Sequence, residues 1–313
     1  MKYEAVKFAF VILNYNLVET TMDCIASIQK HVKKHDYMII VVDNNSPNGA
    51  GKELARRYRA YPDVFVLSND ENLGFAKGNN IGITFAVENG ADFVVCLNND
   101  TLLLQDSFCD IILKEYDTKA VAVIGPKILL KDGSECHIDG KLQQIPQYKE
   151  LLENIGKNKP GYDLKNRNVT LGFIKNNLKK SSIVRRVYDR YFAKALGRHS
   201  KYYNHTYDVI LHGCCLIFTP KFFTKLKGFN PDTFMYREEE LLYAQIKLHN
   251  MHTLYCPELK IVHLEDGSTD TVVKSIDEKR IFMDTYQKQS LNVLIKYLEL
   301  YQDKIYSDTK KYE

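Results

Sequence analysis

The sequence predicts an α/β protein built on a mostly parallel central sheet, and three observations carry that reading. Short apolar runs rich in Val, Ile and Phe alternate with longer amphipathic stretches from residue 6 to residue 124. Each run stops at a polar cluster: "NYN" at 14–16, "DNNS" at 43–46, "SNDENLG" at 68–74 and "NND" at 98–100. The runs are continuous rather than alternating, which is how strands covered on both faces read.

Taken in order, residues 6–13 predict a strand, 20–31 a helix, 38–42 a strand, 51–58 a helix and 64–67 a strand. Residues 75–88 then predict a helix, 93–97 a strand, 107–116 a helix and 121–124 a strand. Ligands of open α/β sheets bind outside the carboxyl ends of the strands, so four polar strand ends on one edge describe a binding crevice. Asp100 stands at that edge as a lone carboxylate. Taken by itself, its Asn-Asn-Asp cluster fits an Asx turn or a cap for the next helix somewhat better than a site.

The rhythm lapses over residues 133–207. Residues 157–201 carry about a dozen Lys and Arg against Asp163 and Asp189. Within them Ile183, Val187, Tyr191 and Leu196 fall near one helical face, which predicts a basic amphipathic helix, either packed on the core or laid on an anionic membrane surface. Nucleic acid is not an expected partner, because the charge is confined to one segment without a recognition motif. Regular structure resumes with a buried strand at 209–218, a helix in "MYREEELLYAQIKLHN", a strand in "HTLYCPELKIVHLEDGST" and a terminal amphipathic helix at 276–301. The last dozen residues are polar and read as frayed. The chain thus divides into two halves of one α/β domain, 1–132 and 208–275, a basic and largely helical insertion at 133–207, and a C-terminal helix with its tail at 276–313.

A formal net charge of +4 on 313 residues is modest. Seven cysteines form no CxxC pair and lie mostly in apolar runs, which favours reduced, buried thiols over disulfides or zinc. "MKYEAVKFAFVILNYN" reads as a first core strand rather than a secretory signal, and no apolar stretch is long enough to span a bilayer. The expectation is a cytoplasmic protein able to dock on the inner face of a membrane, with self-association left open. Sequons at Asn99, Asn168 and Asn204 carry no meaning in that compartment.

Neither a G-x-G-x-x-G fingerprint nor a P-loop is present. "GFAKGNNIG" at 74–82 opens a helix and would present backbone N–H groups and Lys77 to a diphosphate, although glycines and asparagines also serve ordinary turns. The three carboxylates Glu238 to Glu240 read as a solvated first turn by charge alone; with "TFMY" before them and Leu241 and Leu242 behind, they predict a turn that delivers one glutamate to the interior. His263 ends an apolar run and by itself is more naturally a structural histidine than a ligand. The pairs His31/His35 and His249/His252 fit helix faces and read as surface.

The ordered set "VILNYN", "VVDNNS", "NLGFAKGNNIG", "CLNND", "HGCCLIF", "GFNPDTFMYREEELL" and "VHLEDGST" resembles family 2 glycosyltransferases of the GT-A fold, in particular the rhamnosyltransferase-like bacterial enzymes of polysaccharide assembly. The match runs from about residue 6 to 269. The resemblance implies that Asn14, Tyr15 and Asn16 form the first strand end and that Asp43 and Asn44 hold the nucleoside. It places Asn72, Gly74, Lys77 and Asn79 near the base and diphosphate. Asn98, Asn99 and Asp100 occupy the DXD position, with Asp100 binding Mg²⁺ or Mn²⁺ and His263 completing the metal site. Glu239 is implied as the general base, with Glu238 as its alternative. Two departures stand out: Asn98 replaces the first DXD carboxylate, and glutamate stands where aspartate is commoner.

The implied reaction is inverting transfer from a UDP- or dTDP-linked sugar to a hydroxyl of a growing, lipid-linked glycan. It needs one base and one hard cation, unlike the two-carboxylate arrangement of retaining hydrolases. A sugar-nucleotide nucleotidylyltransferase would carry a basic glycine-rich loop after the first strand, which "NYNLVETT" lacks. A silent glycan-binding protein is the rival from another class.

Overall fold

A computed structural model describes residues 6–119, 121–136, 140–157, 204–265 and 276–307. Strand β1 (Lys7–Asn14) lies between β2 (Asp36–Asp43) and β4 (Phe93–Asn98), parallel to both, and β3 (Val64–Ser68) extends the parallel set beyond β2. The remaining strands are β5 (Thr101–Leu103), β6 (Val123–Leu130), β7 (Thr206–Tyr207), β8 (Cys215–Phe218) and β9 (Thr253–His263). Among the described residues all nine form one mixed sheet in the order β3-β2-β1-β4-β8-β6-β9-β5, with β7 on β9. β8 runs against its neighbours, while β6 and β9 are parallel to each other.

Period-two alternation explains the layers. Phe8, Phe10 and Ile12 of β1 enter one apolar cluster with α1 (Val18–His31), α2 (Ala50–Tyr58) and α4 (Phe108–Lys119), whereas Ala9 and Val11 enter a second with α3 (Gly74–Glu88). Burial on both faces is why these strands are continuous apolar runs. A third cluster joins α5 (Ile145–Asn154), α7 (Glu238–Leu248), α8 (Ile276–Leu300) and α9 (Gln302–Ile305), and the short α6 (Pro220–Phe223) follows β8. The insertion therefore begins with a helix packed against the C-terminal helix. Its basic stretch, including Ile183, Val187, Tyr191 and Leu196, lies outside the described residues, as does "GST" at 267–269.

Several expectations need correction. The strand read over 209–218 is only Cys215–Phe218, because the chain before it leaves the ladder to cross the strand ends as a buried loop. β6 continues through Pro126 to Leu130; its register shifts between Pro126 and Lys127, where the missing proline N–H is tolerated. The chain beyond 301 is not all frayed, since Ile305 is 2% exposed and the Tyr306 hydroxyl donates to the Gln143 carbonyl at 2.6 Å. His31 and His35 are not surface residues: they face Asp106 and Asp110 at 2.6 and 3.1 Å and tie the end of α1 and the turn after it to the start of α4.

The glycines of "GFAKGNNIG" have a packing reason. A Cβ on Gly82 would meet Val11 Cγ1 at 2.4 Å, and one on Gly78 would meet Leu13 Cδ1 at 2.6 Å, so α3 lies on β1 at a distance only glycine permits. Gly82→Ala is expected to destabilise the protein by about 1–3 kcal/mol, the usual penalty of overpacking, as measured by urea unfolding.

Candidate active site

The parallel registers align Asn14 with Asp43, Asp43 with Ser68, and Leu13 with Asn98, so the polar strand ends share one edge. Their side chains are bonded mostly to one another. Asn14 donates to Asp43 Oδ1 at 2.7 Å and accepts from Thr21 at 2.9 Å and from Asn99 at 3.3 Å. Ser46 N–H donates to Asp43 Oδ2 at 3.0 Å, and the Ser46 hydroxyl accepts from Asn16 N–H at 2.8 Å. Asn16 has left-handed backbone, and Tyr15 beside it is half-buried.

Asn44 forms a second knot. Its amide donates to Asn72 Oδ1 at 2.8 Å and to the Gly74 carbonyl at 3.0 Å, while its Oδ1 accepts from Asn69 and from Leu73 N–H. Gly74, at φ +76°, allows the Phe234 carbonyl to sit where a side chain would be, and Phe75 N–H donates to that carbonyl at 2.7 Å. Asn79 is 1% exposed and bonds the Phe75 carbonyl. The amides of Asn14, Asn44, Asn79 and Asn99 are thus turned inward, where they shape the crevice wall. Lys77 is exposed on α3 and lines an open groove with Leu67, Leu73, Thr84, Glu88 and Pro231, a set containing none of the other expected site residues.

Asp100 has a different environment. The antiparallel pairing of β5 with β9 sets Thr101 opposite His263, and Leu264 N–H donates to the Asp100 carbonyl at 2.8 Å. His263 Nε2 then lies 3.1 Å from Asp100 Oδ1, with the carboxylate almost fully buried. The carboxylate and imidazole thus converge in a site that Asn98 leaves uncharged. Two donors 3.1 Å apart fit adjacent positions on a first-row divalent cation, and an imidazole in the set favours Mn²⁺ over Mg²⁺.

The loop before β8 links this pair to the glutamates. Its Cys214 carbonyl accepts from Asn98 N–H at 3.0 Å and from the Thr101 hydroxyl at 3.3 Å, while Gly213 N–H donates to Glu239 Oε1 at 3.1 Å. A Cβ at Gly213 would collide with that carboxylate. His212 in the same loop stacks edge-on to His263 with ring centroids 6.0 Å apart. Sequence reasoning did not single out His212, and its place in "HGCC" was the available signal.

Tyr236 and Arg237 both adopt left-handed backbone immediately before α7, which turns the chain sharply into the helix. Glu238 is the glutamate delivered to the interior, 6% exposed, with no hydrogen bond to Oε1. Burial, then the neighbouring Glu239, raises its pKa to about 8. Glu240 is also raised by burial, although Arg237 pairs with it at 2.6 Å. A carboxyl whose folded pKa lies above its unfolded value stabilises the fold below the unfolded pKa and loses that contribution as pH rises through the folded one. Wild type should therefore lose stability between about pH 5 and pH 8, and Glu238→Gln should flatten this part of the Tm–pH curve.

Residues 9–188, more than half of the chain, match the family described as Glycosyl transferase family 2. The chain belongs to glycosyl transferase family 2. Solved structures of similar fold include GalNAc-T7 with UDP, GalNAc and Mn²⁺ (TM-score 0.57, 14% identity), where the match covers 96% of this chain and 50% of that one. S. aureus TarS is another (TM-score 0.51, 14% identity), covering 83% and 37%. The chain thus spans half or less of the length of those proteins, and at such identity the likeness shows the fold alone. No curated protein matches. The mixed α/β sheet flanked by helices is the GT-A arrangement expected from the sequence. No helix among the described residues is long and apolar enough to cross a membrane.

Proposed function

We propose that this family 2 glycosyltransferase transfers a sugar, with inversion, from a nucleotide-diphospho-sugar to a hydroxyl of a growing glycan. The observation that carries the reading is the loop 212–214, which bonds the strand ends flanking Asp100 on one side and Glu239 on the other. Glu239 Oε1 is held by Gly213 N–H, leaving Oε2 to accept the proton of the acceptor hydroxyl. The freed oxygen attacks the anomeric carbon, and the nucleoside diphosphate departs. A divalent cation held by Asp100 and His263 would supply charge neutralisation for that leaving group. Mn²⁺ and UDP in GalNAc-T7 support this assignment of cofactor and donor class, with dTDP as the other candidate nucleotide. One base on one face of the sugar produces inversion. The Asp43 and Asn44 knots position the nucleoside wall, and Glu238, which keeps its proton at neutral pH, supports the turn.

The experiment is a screen of nucleotide sugars by thermal shift with Mn²⁺, followed by transfer to a glycan acceptor and NMR of the product anomer. Inverted product is expected, and retained configuration overturns the mechanism. The lipid-linked acceptor and the membrane contact rest on the basic segment, and the polysaccharide-assembly role rests on the resemblance of the ordered motifs. Deleting residues 165–200 should abolish binding to anionic liposomes while the core still folds; unchanged flotation with liposomes rejects that part.

A further inference from the structure

Away from this crevice, four side chains meet beneath the register shift of β9. Cys256 and Glu258 lie two residues apart across the shift, and Glu115 projects from α4. His205 immediately precedes β7, a strand of only two residues. His205 Nε2 is 3.2 Å from Glu258 Oε2 and 3.4 Å from Glu115 Oε2, and Cys256 Sγ is 3.5 Å from Glu258 Oε2. The donor atoms of His205, Cys256 and Glu258 all lie within 4.8 Å of one another. Among the described residues this is the one such group of three or more metal-ligating side chains.

We propose that His205, Cys256 and Glu258 form a structural metal site suited to Zn²⁺, separate from the catalytic pair, with Glu115 beside His205. Neighbouring ligands of a tetrahedral zinc, with bonds of about 2.0 Å to N and O and about 2.3 Å to S, stand roughly 3.3–3.5 Å apart, and the separations of His205 Nε2 and Cys256 Sγ from Glu258 Oε2 are close to that size. Ion pairing alone does not account for the arrangement. A protonated imidazole would aim its N–H at one carboxylate, yet His205 Nε2 is buried and makes no hydrogen bond despite two carboxylate oxygens within 3.4 Å. The Cys256 thiol donates to Glu258 Oε2 at 3.5 Å, a bond that a metal would replace. The donor chemistry selects the ion, because Mg²⁺ and Ca²⁺ avoid sulfur while a thiolate with an imidazole and carboxylates suits zinc. On binding, the Cys256 thiol proton passes to solvent and the thiolate takes its place on the metal.

The position explains what such a site would do. β7 is where the chain rejoins the sheet after the basic segment, and only Thr206 and Tyr207 pair with β9. A metal would fasten that return to β9. Cys256 lies seven positions before His263 on β9, roughly 23 Å at about 3.3 Å per residue, so the two sites do not share ligands.

The test uses the full chain stripped with chelator and titrated with Co²⁺, read by its thiolate-to-cobalt charge-transfer absorption. One equivalent should bring up the band in wild type and in Asp100→Asn, and Zn²⁺ should displace it. The band should vanish in Cys256→Ser, and Co²⁺ affinity should fall at least about tenfold in His205→Gln, a part-exposed position whose replacement leaves the core intact. A Zn²⁺-dependent rise in Tm should be lost in His205→Gln. Absence of the band in wild type, or its persistence in Cys256→Ser, overturns the proposal.

Discussion

Asp100→Asn is expected to lower transfer by about a thousandfold at fixed Mn²⁺, with a matching loss of Mn²⁺ affinity in isothermal titration. The size follows from removing the one carboxylate of the pair, since a cation on a leaving diphosphate contributes several kcal/mol of transition-state stabilisation. Asparagine is the informative replacement. It keeps the volume, can still bond His263, and leaves intact the backbone bond from Leu264 N–H to the residue 100 carbonyl. The fold should survive, so a loss of activity reports on the metal and not on the sheet. Wild-type Mn²⁺ affinity in this variant would remove Asp100 from the metal site.

Glu239→Gln should reduce kcat by about 10²–10⁴-fold while donor KM changes little, because the amide keeps the bond from Gly213 but cannot take a proton. The same substitution at Glu238 separates the two candidates for the base. Glu238 is buried and raised to about 8, so Glu238→Gln resembles the form already present at neutral pH and should cost far less activity. If Glu238→Gln were the more damaging of the two, the base would be Glu238 and the register within the triplet would shift by one.

Most of the sheet was legible because strands covered on both faces cannot hide their composition. β1 sends Phe8, Phe10 and Ile12 to one layer and Ala9 and Val11 to the other, and no polar residue interrupts it until Asn14. The same logic misled over 209–218. Buried loop and buried strand are equally apolar, and only the bonds of Cys214 and Gly213 to Asn98, Thr101 and Glu239 show that the chain has left the ladder. His31 and His35 were misread for a related reason: their partners, Asp106 and Asp110, come from a segment remote in sequence.

Local sequence by itself determined the alternation of strands and helices, the polar closure of each strand and the turn before the glutamate triplet, since these depend on neighbours within a few residues. Only the tertiary structure decided which polar groups do chemistry and which hold the wall. Asn99 and Asp100 are adjacent, yet the first turns inward to Asn14 and Thr21 while the second meets His263 across β9. The reason is physical: successive side chains near a strand end point to opposite sides, and what lies on each side is set by strands that pair across long stretches of chain.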